Sequence, residues 1–112
     1  MRRGEIWWAE FSEPRASEPG YRRPVVILQC DAFNLSRIKT VVVVALTSNF
    51  RLASSPGNVK VLAAKTGLSK DSVANASQIA TLDMRFLEEK IGEIDRLTMR
   101  RIDEGVRLVL AL

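Results

Sequence analysis

Gly20-Tyr21-Arg22-Arg23-Pro24-Val25-Val26-Ile27-Leu28 sets two guanidiniums side by side at the mouth of an apolar run. Pro24 fixes the backbone where that run begins. The near-continuous apolar character of Pro24 to Gln29 predicts a strand buried on both faces. Further along, Thr40-Val41-Val42-Val43-Val44-Ala45-Leu46-Thr47-Ser48-Asn49 reads as a second, β-branched strand, Ile38 to Leu46, that ends in a pair of hydroxyls. If the two strands are sheet neighbours, Arg23 and Thr47 face one spot. Planar donors suited to a phosphate would then stand beside a hydroxyl.

Working outward, Glu5 to Phe11 reads as an aromatic-rich strand, and Asn58 to Leu62 as a short one. Ser72 to Thr81 offers one strand or two, and Lys90 to Ile94 another. Ser12 to Arg22 carries Pro14, Pro19 and Gly20 among polar residues and reads as a loop, as does Ser48 to Asn58 around Ser54-Ser55-Pro56-Gly57. Asp31 to Arg37 reads as a polar connection. Leu82 to Glu89 reads as a short helix opened by Asp83. After Asp95, a candidate N-cap, Met99, Ile102, Val106, Val109 and Leu110 form one apolar stripe at helical spacing. Gly105 interrupts this helix at a cost of roughly 1 kcal/mol against alanine. Many short strands followed by one helix fit a mostly β small barrel capped by a helix, in a single domain spanning 1–112.

The chain has 112 residues, net charge +4 and a pI of about 9.7, which favours polyanionic partners. Arginine outnumbers lysine twelve to five, and arginine suits phosphate forks and stacking on bases. There is no histidine and one cysteine. An internal disulfide is therefore excluded and a zinc site is disfavoured, and the expectation is a cytoplasmic protein without metal or cofactor. No apolar run is long enough to span a membrane. Met1-Arg2-Arg3-Gly4-Glu5 meets a carboxylate before any apolar stretch, unlike a signal peptide. Cys30 is expected to be a small buried residue.

The chain resembles the MazF/PemK family of toxin endoribonucleases. The resemblance rests on Arg3-Gly4-Glu5-Ile6-Trp7-Trp8, on Ser17-Glu18-Pro19-Gly20-Tyr21-Arg22-Arg23-Pro24 and on Leu46-Thr47-Ser48-Asn49. It extends through Gly67-Leu68-Ser69-Lys70-Asp71-Ser72-Val73, Ser77-Gln78-Ile79 and Ile91-Gly92-Glu93-Ile94. It implies an SH3-like barrel, a homodimer, and a MazE-like antitoxin whose acidic disordered tail folds into a basic groove. It also implies metal-independent cleavage of single-stranded RNA. In that reaction the 2′-hydroxyl attacks the adjacent phosphorus, leaving a 2′,3′-cyclic phosphate and a 5′-hydroxyl end.

Resemblance places the catalytic arginine at Arg23 and an active-site threonine at Thr47. Glu18 is the physically easier proton acceptor, since arginine stays protonated, although it could instead touch a base or ribose. Arg22 reads as solvated phosphate steering. Ser48 is a further substrate-binding candidate, although it would face away from Thr47 if the strand persists. Asn49, with Phe50 and Arg51, would line the RNA groove, and the Gln78 amide could read a base edge. Trp7, Trp8 and Phe11 admit base stacking, but alternate members of a strand usually face the core. The Kid/PemK branch carries an arginine and an aspartate where this chain has Asn75-Ala76-Ser77, and the loop histidine of some relatives is missing. Two other readings therefore stand: a CcdB-like toxin that poisons gyrase, and a barrel that binds RNA without cutting it.

Overall fold

The computed structural model of the chain describes residues 1–11 and 21–112. Its strands are β1 (Glu5–Glu10), β2 (Arg22–Ile27), β3 (Thr40–Thr47), β4 (Val59–Val61), β5 (Ser72–Asp83) and β6 (Leu87–Glu93). Helix α1 is a single turn, Asp31–Asn34, and α2 runs Arg96–Leu110. The strands form one antiparallel sheet in the order β4-β5-β3-β2-β1-β6. Bulges in the β1–β6 and β3–β5 pairings help curl it into a half-barrel capped by α2.

β2 is buried on both faces, as its apolar run predicts. Val26 joins a cluster on the helix side of the sheet with Ile6, Val44, Leu46, Met99 and Ile102. Val25 and Ile27 join a second cluster on the opposite side with Ala9, Val41 and Val43. Trp7 packs against that second cluster, while its indole nitrogen donates to Glu5 Oε1 at 3.0 Å. Burial opposes ionisation of Glu5. Hydrogen bonds from Trp7, from the Arg2 backbone and from Lys90 outweigh it and hold the carboxyl below its ordinary value of 4.5.

Asp95 caps α2 as expected, its carboxylate accepting from Thr98 N at 2.8 Å. Met99 and Ile102 are buried, but the stripe outruns the sheet, leaving Val109 and Leu110 exposed. Gly105 has a steric reason to be glycine. A Cβ there would lie 1.9 Å from the carbonyl oxygen of Gly57, so backbone meets backbone.

Three expectations need correction. Leu82 to Glu89 is not a helix. Asp83 does cap, accepting from Arg85 N at 3.0 Å, but only the 3-10 turn Met84–Phe86 follows. β6 then begins at Leu87, because β1 claims its backbone in the pairs Ala9↔Leu87 and Trp8↔Glu89. The connection after β2 contains α1, held by Asn34 Nδ2 donating to Gln29 O at 2.9 Å and to Asp31 Oδ1 at 3.1 Å. Cys30 is exposed, because it stands beyond the end of β2 at the N-cap position of α1.

β5 is one strand with a splice. Val44 faces Ile79 and Leu46 faces Ala74, so Ala45 alone stands opposite the four residues Asn75–Gln78. Polar side chains satisfy part of this excess. Ala76 N donates to Asn58 Oδ1 at 2.9 Å, and Ser77 Oγ donates to Asn75 Oδ1 at 2.9 Å.

Candidate functional site

β2 and β3 are hydrogen-bonded neighbours with Val25 opposite Ala45 and Val26 opposite Val44. The same register carried two residues outward sets Arg23 across from Thr47. Both residues line a cavity of about 440 Å³ at this end of the sheet. Its floor is apolar, from Leu46, Leu68 and Ile91. Its wall is cationic and hydroxylic, from Arg22, Arg23, Lys70, Thr47, Ser48 and Ser69. No carboxylate lines it among the described residues.

Arg23 is half-buried, and its Nε is fully buried with no hydrogen-bond partner among the described residues. A buried donor left without an acceptor costs about 1–3 kcal/mol, a cost removed when an acceptor arrives. Thr47 is the last residue of β3. Its Oγ1 accepts from Asn49 N at 3.1 Å, which leaves the hydroxyl proton available for donation. Ser48 reaches the cavity because β3 stops at Thr47, so strand alternation no longer governs it.

Arg22 differs from the expected solvated side chain. Its guanidinium lies 4.1 Å from the centroid of the Trp8 ring, and its Nε donates to Glu88 Oε1 at 2.6 Å. Trp8 also lines the cavity, so the two adjacent tryptophans divide between cavity and core as strand alternation requires. Just before β2, Tyr21 has φ of 54°, and its carbonyl accepts from Phe11 N at 2.6 Å.

Two predicted residues are elsewhere. Asn49 is not among the lining residues. It caps the 3-10 segment Phe50–Ser54, accepting from Arg51 N at 3.3 Å. Gln78 lies in the β5 splice and is likewise absent from the cavity wall. Glu18 lies outside the described residues. Lys70 was missed as a site residue. It arrives on the loop before β5, where Gly67 has φ of 84° and a Cβ would meet Ile91 O at 2.7 Å. That glycine next to a short polar, cationic run was the available signal. Among the described residues, no group of three histidine, cysteine or acidic side chains gathers as a metal site would require.

Residues 2–110 match the model of the PemK-like, MazF-like toxins of type II toxin-antitoxin systems. The chain belongs to the PemK/MazF toxin family. The endoribonuclease MazF6 of Mycobacterium tuberculosis is 44% identical over 110 residues, covering 98% of this chain and 96% of the relative. The endoribonuclease EndoA of Bacillus subtilis is 35% identical over 112 residues, covering 100% and 96%. Among solved structures, an endoribonuclease in complex with its cognate antitoxin from Mycobacterial species superposes with TM-score 0.77 at 25% identity. It covers 100% of this chain and 94% of that one. The Deinococcus radiodurans MazF shares the fold, with TM-score 0.82 at 21% identity and coverage of 100% and 97%. In this PemK/MazF chain the Arg-Pro step and the strand-end threonine that carry the resemblance meet at one cavity.

Proposed function

We propose that this protein is the toxin of a toxin–antitoxin pair and cleaves single-stranded RNA without a metal. The observation that carries the reading is the buried Arg23 Nε, without a hydrogen-bond partner among the described residues, at the wall of a cationic cavity shared with Thr47. In RNA the nucleophile belongs to the substrate. The protein has to align the 2′-hydroxyl with the phosphorus, stabilise the phosphorane and manage two protons. Arg23 holds the non-bridging oxygens as charge builds on them. The Thr47 hydroxyl donates to a phosphate oxygen or to the departing 5′-oxygen. Glu18, five residues before Arg23 in the sequence, accepts the 2′-hydroxyl proton. Lys70 and Ser48 hold the chain in register.

The partners follow from the same surface. An acidic antitoxin segment would occupy the cavity and block RNA, in line with the related structure that holds a cognate antitoxin. A homodimer would cover the exposed apolar residues Leu110 and Leu112, which line one cavity with Phe33 and Ile38. No helix of the described residues is long and apolar enough to cross a membrane, and a cytoplasmic site of action suits an RNA-cutting enzyme.

Wild-type protein and Arg23→Ala, incubated with a long RNA in excess EDTA, test this reading. The expected result is cleavage at repeated short sites with cyclic phosphate ends, lost in the variant while dimerisation and RNA binding persist. RNA bound but never cut by the wild type would sink the enzyme and leave a binding barrel.

A further inference from the structure

Arg22 and Arg23 are neighbours in sequence but differ in what they lack. Arg23 has a buried donor and no acceptor among the described residues. Arg22 already has its anion, since Glu88 lies 2.6 Å from its Nε. The contact is built across three adjacent strands. Arg22 stands on β2, Trp8 on β1 and Glu88 on β6, and the sheet order is β2-β1-β6. Trp8 pairs with Pro24 on one side and Glu89 on the other, so Arg22 is its diagonal neighbour. The guanidinium crosses the indole to reach the far carboxylate. Stacking sets its plane and the Nε–carboxylate bond sets its direction.

One face of that plane is covered by Trp8, yet the Arg22 side chain keeps 49% of its surface exposed. Trp8 takes one side of the group and Glu88 one edge, which leaves the side away from Trp8 as the one that neither contact uses. A phosphate approaching Arg22 would have to compete with a carboxylate already in place. A neutral aromatic ring approaching the open face would not. Single-stranded RNA offers such rings, and its bases stack on guanidinium planes as well as on aromatic side chains.

We infer that Arg22 is a shelf for a nucleobase: the base flanking the scissile phosphate stacks on its guanidinium, which is held flat between that base and the indole of Trp8. The inference rests on the RNA-cleaving reading above and names the group that seats the substrate's base beside Arg23. Arg22 is a binding and positioning residue, and Glu88 orients it. The shelf accounts for a tryptophan and a paired arginine at the rim of a cavity whose phosphate-holding charge comes from Arg23 and Lys70.

The test uses an oligoribonucleotide with one site mapped by wild-type cleavage, made uncleavable by a 2′-deoxy sugar at the scissile nucleotide. A companion set carries single abasic positions on either side. Binding is read by fluorescence anisotropy across a salt series, and cleavage of the unmodified oligonucleotide is followed in parallel. Arg22→Lys keeps the charge and removes the plane. It is expected to weaken binding of the intact oligonucleotide about tenfold, within the range for one stacked base. One abasic position should cost wild type a similar factor, and Arg22→Lys should lose nothing more on that probe. The salt slope should not change.

Glu88→Gln supplies a second arm in case Arg22→Lys folds poorly. Loosening the shelf should shrink the ratio of intact to abasic affinity severalfold. Equal losses on intact and abasic probes, or an unchanged ratio in Glu88→Gln with both affinities raised, would overturn the shelf in favour of phosphate steering. Normal cleavage and binding by Arg22→Lys would overturn the shelf and leave the nuclease reading standing. Failure of the wild type to cut any RNA would remove the nuclease reading and the shelf with it.

Discussion

The two halves of β2 show how one strand serves two purposes. Val25, Val26 and Ile27 have no exposed surface, and their pairs with Ala45, Val44 and Val43 lie between two apolar clusters. Arg22, Arg23 and Pro24, one step earlier, lie against a cavity, with the Arg22 guanidinium paired and stacked and the Arg23 Nε without a partner among the described residues. The apolar half is complete without a ligand and the polar half is not. A rigid strand end can therefore hold a costly buried donor in place, because the cost is borne by packing a few residues away.

That contrast can be broken from either half. Arg23→Ala should reduce kcat/KM for RNA by about a thousandfold, the scale for losing one preorganised donor to developing charge. Its urea midpoint should match or exceed that of the wild type, because a buried donor with no partner among the described residues is removed. A large loss of stability instead would make Arg23 a structural residue. Ile27→Ala should do the reverse. It should lower stability by about 3 kcal/mol, as expected for a truncated buried aliphatic side chain. The cleavage rate of the folded fraction at low temperature should be nearly unchanged.

The next effects sharpen the polar half itself. Thr47→Val keeps the branched shape and removes the hydroxyl. About a thirtyfold fall in kcat, with KM little changed, would mark a hydrogen bond made mainly in the transition state. Lys70→Gln should weaken RNA binding severalfold and lower the salt slope by about 1, the signature of one phosphate contact. The smallest effect belongs to Glu5, on the well-packed side. Its carboxyl lies below the ordinary value of 4.5 in the folded protein, so its contribution is present above that value and is lost as pH falls through the folded one. Glu5→Gln should therefore have a lower urea midpoint than wild type at pH 7, and the gap should narrow as pH falls below 4.5.

The elements legible in the sequence were those with strong local signals. Pro24 and the valine runs located β2 and β3, and Asp95 with the Met99–Ile102 spacing located α2. Trp7 and Trp8 separated by simple alternation. The errors occurred where long-range pairing decides the outcome. Asp83 is a real cap, but β1 claims the chain from Leu87 onward, which no local pattern near residue 87 announces. Asn49, expected in the groove, instead caps the 3-10 segment that follows β3. Lys70 depends on a loop shaped by Gly67 against Ile91, and the clamp on Arg22 depends on a carboxylate two strands away. The arginine–threonine pair was legible because both residues sit at the ends of strongly marked strands.

The splice in β5 limits how this fold can vary in length. Three surplus residues lie between Ala74 and Ile79 relative to β3, and three is odd. Ala74 and Ile79 stand five residues apart, a spacing that plain alternation would put on opposite faces, yet they pair with Leu46 and Val44, which stand two apart and share one face. The splice absorbs that odd step and returns the strand to its partner with the same side toward the helix. Removing one residue or three would leave an even spacing that an unbroken strand can bridge, whereas removing two would still require a bulge. Natural length variation at this point should therefore show either this splice or a loss of an odd number of residues.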